Sequence, residues 1–123
     1  MNPAALFALP LLALAPAAAH ATDVSGVWIV STSLAQTPVV MDCSLLQIGV
    51  ALSGWCEPES ADATPVALSG QLDRTNASWG YDITVQGQPV HVAYQGALSA
   101  DTLAMTGQLT YGTSSAGLTA VRK

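Results

Sequence analysis

Charge is scarce in this chain. Asp, Glu, Lys and Arg make up 9% of it, eight acids against three bases, for a net charge of −5. Beyond the adjacent Arg122 and Lys123 there is no basic cluster, so nucleic acid is not an expected partner. Histidine is as rare: His20 lies in an apolar N-terminal tract, which leaves His91. One histidine and two cysteines fall short of the four ligands a structural zinc site needs, and His-Glu-x-x-His is missing. Gly-x-Ser-x-Gly is missing too, since "GTSSAG" at 112–117 has the wrong spacing. Asp73, Asp82 and Asp101 lie on or beside separate expected strands, with nothing in their spacing to suggest a glycosidase pair. His91 alone remains as a general base, and it alternates with Val90 and Val92 on the opposite face of its strand. The expectation is a protein that is not an enzyme, with no cofactor and no metal.

What is present begins with an apolar tract, "LFALPLLAL" at 6–14, followed by "APAAAHA". An apolar core ending in Ala19-His20-Ala21 is the pattern of a secretory leader, with cleavage expected after Ala21. The core is shorter than the about 20 residues that span a bilayer as a helix, and no later segment is long enough either. Residues 1–21 are therefore read as a signal peptide and 22–123 as a single exported domain, periplasmic or extracellular.

Helix signals are nearly absent from that domain. Short runs alternate apolar and polar residues at period two, with Gly, Pro, Asn, Asp or Ser between them, which predicts antiparallel strands. Eight are expected, roughly 24–33, 40–48, 51–57, 65–73, 77–86, 89–98, 102–111 and 115–122. In "ASWGYDITV", Ala77, Trp79, Tyr81, Ile83 and Val85 share one face. The links at 86–89, 99–101 and 112–115 are short enough for hairpins, and "EPESADATP" at 57–65 is the longest loop. A phrase of the type "LSGQL" recurs at 51–55, 67–73, 93–99 and 104–110, each copy with a glycine inside the expected strand. Glycine there permits a bend or the close approach of a neighbour, as a small curved barrel requires. The fold predicted is all-β, an antiparallel eight-stranded up-and-down barrel.

The two cysteines close the run "CSLLQIGVALSGWC" at 43–56. A two-residue turn at Gly49-Val50, with glycine first, opposes Ile48 to Ala51, Leu45 to Gly54 and Cys43 to Cys56. Counting outward, the cysteines fall on a non-hydrogen-bonded pair, where Cα atoms come within about 4.5 Å and a disulfide can form. The spacing is not Cys-x-x-Cys, so a hairpin staple is expected rather than a redox site.

"SGVWIV" at 25–30 and "GLTAVRK" at 117–123, bracketing an eight-strand meander, resemble the calycin pattern. That resemblance implies that Trp28 packs under Arg122 and closes one end of the barrel. The rhythm of "LSGQL", "WGYDITV" and "YQGAL" is similar to the avidins, but the polar positions of their biotin site fall on Val30, Val90, Val92 and Gly117-Leu118. Biotin's ureido group would be left unpaired there. The front half also resembles bacterial metalloprotease inhibitors, which insert a free N-terminal arm; here only "TDVS" precedes Gly26 after the expected cut. Lipocalins, the third relative, imply an apolar ligand in the lumen.

The leading expectation is a binding module for a small apolar ligand in the lumen or mouth, with Trp79, Tyr94, Met105 and Leu109 as candidate ligand-binding residues. Trp28, Trp55, Tyr81 and Tyr111 complete the set of aromatics able to line a cavity, although in a domain this small the favoured expectation is that the aromatics plug the barrel. The alternatives are a protein-binding module such as a protease inhibitor, and a structural envelope protein without a ligand.

Overall fold

Period-two alternation carries through to eight strands in the computed structural model, which describes residues 22–59 and 64–123. The expected leader at 1–21 and the middle of the acidic loop at 57–65 lie outside the described residues. The strands are β1 (Gly26–Leu34), β2 (Thr37–Ile48), β3 (Ala51–Pro58), β4 (Val66–Asp73), β5 (Asn76–Val85), β6 (Gln88–Leu98), β7 (Ala104–Tyr111) and β8 (Ser114–Arg122). Each pairs antiparallel with the next, and β8 returns to β1 through Trp28↔Arg122 and Thr32↔Leu118, closing an up-and-down barrel. Closure leaves no sheet edge, which matters for a surface with few charges to guard one.

The interior is apolar. Trp28, Val30, Leu45, Tyr94, Met105, Leu109 and Leu118 are buried, and no charged side chain is buried among the described residues. Outward positions carry mostly Ser, Thr, Gln and Ala. This is the reverse of an outer-membrane barrel, which is apolar outside and polar within. No described helix is long and apolar enough to cross a membrane.

Three strand starts differ from expectation by two residues or more, the first being β1, which begins at Gly26 rather than 24. β2 starts at Thr37 rather than near 40, because Ala35 and Gln36 both take positive φ (50° and 69°) and make a two-residue turn. Pro38 is tolerated because it opposes Ser33 next to the hydrogen-bonded closing pair Leu34↔Thr37, where its missing N–H has no β1 partner to lose. β7 starts at Ala104 rather than 102. The Asp101 carboxylate accepts hydrogen bonds from Ser99 Oγ (2.6 Å) and the Leu103 N–H (3.0 Å), holding 99–103 as a turn.

The β2–β3 hairpin has the predicted register, with Ile48↔Ala51, Leu45↔Gly54 and Cys43↔Cys56. The turn glycine, Gly49, has φ 66°, and the disulfide joins Cα atoms 4.0 Å apart. The recurrent strand glycines mark close strand approach. A Cβ on Gly107 would run into the Gln95 carbonyl oxygen, and one on Gly70 into Ser78 O and Trp79.

Neighbours around the wall climb it as a spiral. The inward row Leu98, Met105, Ala120, Val30, Met41, Pro58 starts at one end of the barrel and finishes at the other. This is the stagger that a closed barrel of tilted strands requires. It sets which inward side chains share a level.

Candidate functional site

The two ends of the barrel differ. One end is sealed by the segment leading into β1 and by the end of β8. Trp28 is fully buried, and its indole N–H donates to Val24 O (2.9 Å), which draws Val24 into the barrel floor at 0% exposure. The Arg122 guanidinium lies over the Trp28 ring, 4.5 Å from its centroid. From there it donates to Ser25 O (2.6 Å), Asp23 O (3.0 Å) and Thr102 O (3.2 Å). Gln47 completes the seal. Its amide accepts from the Val24 N–H and donates to Thr22 O and Gly49 O. Residues 22–25 are thus tied across this end rather than projecting as an arm. Hydrogen bonds from Ser25 hold the Asp23 carboxyl below its ordinary range.

Above the seal the lumen is filled. Met105 is buried at 1% exposure, with its side chain against Gly96. Trp79 occupies the middle of the barrel, stacked on Tyr94 with ring centroids 5.2 Å apart and planes within 9°. Gly70 provides the space beside Trp79. The Trp79 indole N–H meets no acceptor among the described residues, so the ring contributes volume and stacking.

Tyr94 is where the filling stops. On its far side a cavity of about 550 Å³ opens through the other end, within the size range of small-molecule sites. Leu34 and Val39 contribute to its walls from the first hairpin, Val66 from β4, and Ile83, Val92 and Leu109 from the strands opposite. Pro58, Thr64, Tyr111 and Ser114 stand around it nearer the loops. Among the described residues, no charged side chain lines the cavity.

Its floor holds three polarizable or polar atoms. The hydroxyls of Tyr81 and Tyr94 are 2.5 Å apart, and Met41 Sδ lies 2.9 Å from the Tyr94 hydroxyl and 3.8 Å from that of Tyr81. Burial is the main reason both phenols ionise above the ordinary tyrosine range. Desolvation disfavours the phenolate, so both stay protonated at neutral pH.

The structure divides the candidate residues. Tyr94 and Leu109 line the cavity, whereas Trp79 and Met105 face inward below it and belong to the packed core. Alternation correctly turned all four inward, but it does not encode height along the barrel axis. Tyr81 and Tyr111, from the wider aromatic set, also line the cavity. Met41 and Ile83 were not singled out; their signal was only an inward position close to a loop. Trp55 corrects the expectation that every aromatic plugs or lines the lumen. It pairs with Ser44 on the outer face and is 49% exposed.

Two charged pairs lie on the outer wall. His91 Nδ1 lies 2.8 Å from Asp82 Oδ1, both on the exposed wall, and Lys123 pairs with Asp42 at 3.2 Å. Among the described residues no group of three His, Cys, Asp or Glu comes together. Comparison with family models, curated proteins and solved structures finds no match to the chain.

Proposed function

We propose that this protein is an exported, non-enzymatic β-barrel that binds a small apolar molecule in the open end of its lumen. The observation that carries the reading is the contrast between the ends: one sealed by Trp28, Arg122 and Val24, the other open to about 550 Å³ of largely hydrocarbon wall. A hydrocarbon cavity of that size favours a hydrocarbon guest, which removes apolar surface of both partners from water. The described lining offers aliphatic, phenol, thioether and hydroxyl groups with no acid–base pair among them, which supports binding rather than turnover. The buried Cys43–Cys56 disulfide suits an oxidising compartment, in keeping with export.

Native mass spectrometry of protein from its own host tests this directly. A small-molecule adduct that survives gentle ionisation and leaves on denaturation is expected, with the polypeptide starting at Thr22. Ile83→Trp, which fills the cavity from its wall, is expected to remove the adduct while the barrel remains folded. A clean mass, together with no binding of an apolar fluorescent probe, overturns the reading.

A protein-binding module is the second reading, favoured by one observation. Leu46, Ile48, Val50 and Trp55 stand exposed on the β2–β3 hairpin. The inhibitor form of that reading, with a free arm, is not supported by residues 22–25, which are tied down by Arg122 and Gln47.

A further inference from the structure

We infer that the ligand is a neutral, mostly hydrocarbon molecule with one carbonyl oxygen, and that this oxygen sits on the cavity floor as acceptor for the Tyr81–Tyr94 hydroxyl pair. The inference rests on the lumen-binding reading above and gives it a chemistry and an orientation.

The argument is a count of protons. Two phenols bring two O–H donors to the floor. One is used between the hydroxyls at 2.5 Å. Among the described residues the other has only Met41 Sδ, whichever tyrosine donates first: at 2.9 Å if the free proton is on Tyr94, at 3.8 Å if it is on Tyr81. A thioether is a weak acceptor, so a strong donor in a desolvated place is left with a poor partner. A carbonyl oxygen entering from the mouth takes that proton, and the flexible Met41 side chain moves aside.

Charge decides the rest. Among the described residues, no cation lines the cavity to meet a carboxylate, and no anion lines it to meet an amine. An ion entering would lose its hydration without replacement, which excludes ionised ligands far more strongly than a mismatch of shape. Above the floor Leu34, Val39, Val66, Ile83, Val92 and Leu109 present hydrocarbon. The polar end therefore enters first and the alkyl part fills the space towards the mouth. Because the phenols stay protonated well into the alkaline range, the donor is present at every physiological pH.

The test compares hexyl methyl ketone, octane and octanoate by titration of tryptophan fluorescence at neutral pH. The readout is the ratio of ketone to octane affinity, because water solvates the two differently. Tyr81→Phe/Tyr94→Phe is expected to lower that ratio about three- to ten-fold, the contribution of one neutral hydrogen bond. Octane should bind the variant no more weakly than the parent, and octanoate should bind at least about ten-fold more weakly than the ketone. Met41→Gln, which keeps both phenols but occupies them with its own amide oxygen, is expected to reproduce the loss. This guards against a double variant that fails to fold. If neither ketone nor octane binds, the lumen reading falls and the inference with it. If both bind and the ratio ignores the substitutions, the carbonyl anchor is overturned while the lumen reading stands. Preferred binding of octanoate overturns neutrality.

Discussion

Arg122 combines at one residue a stacked cation over Trp28 and three hydrogen bonds to backbone carbonyls of Ser25, Asp23 and Thr102. The planar fork suits this; an ammonium group has no flat face to stack and carries its donors on a single nitrogen, too compact to reach all three carbonyls. Arg122→Ala is expected to cost about 2–3 kcal/mol in urea unfolding, and Arg122→Lys to recover less than half of it. An effect of Arg122→Ala within the scatter of surface substitutions would show that the seal contributes nothing. Gly107 is constrained differently, since any Cβ there meets the carbonyl oxygen of Gln95. Gly107→Ala should destabilise by about 2 kcal/mol or more, whereas Gly117→Ala, with its nearest neighbour atom at 4.0 Å, should stay within about 0.5 kcal/mol of the parent. Equal effects at the two positions would mean that the strands can shift to admit the methyl.

Among the elements, the β2–β3 hairpin was the most legible. Its turn glycine, its register and its disulfide follow from counting outward along one short stretch, because every contact involved is local. The loop it closes is short, so the bridge should contribute about 3 kcal/mol by restricting the unfolded chain. Reduction is expected to lower the melting temperature but leave the barrel folded, because β3 is also paired along its length with β4. A melting temperature that does not respond to reductant would contradict this. The 99–103 link was less legible. The 99–101 stretch was recognisable as a short hairpin link, but the bonds of Asp101 to Ser99 and Leu103, which shorten β7, depend on a geometry that composition does not reveal.

At the scale of the whole molecule, stability and the cavity meet at the two phenols. Tyr81 and Tyr94 have folded pKa values above the ordinary 10.0. Below about pH 9 both states keep them protonated and the contribution is constant. As pH rises past 10 the unfolded chain loses phenolic protons that the folded barrel still holds, so stability falls. Tyr94→Phe should make this alkaline decline shallower, which denaturant unfolding between neutral and strongly alkaline pH will measure. An identical decline in the variant would place the responsible groups elsewhere. Tyr94→Phe keeps the stacking on Trp79, so the comparison isolates the hydroxyl.

Legible in the residue order were the strand class, the strand limits to within one residue except at the starts of β1, β2 and β7, the inward face of each strand, the staple and the poverty of catalytic groups. These depend on period-two alternation and on neighbours a few residues apart, which the chain states locally. Tertiary structure alone decided which inward residues line space and which fill it. Trp79 and Tyr94 are cross-strand partners on the same face, yet only Tyr94 reaches the cavity, and Met105 lies below it. The cause is the stagger of a closed barrel, which carries a row of partners from the sealed end to the open one as it passes around the wall. Height along the axis is therefore a property of all eight strands together. Tyr81, Tyr94 and Met41 come from β5, β6 and β2, and only closure places their polar atoms on one floor.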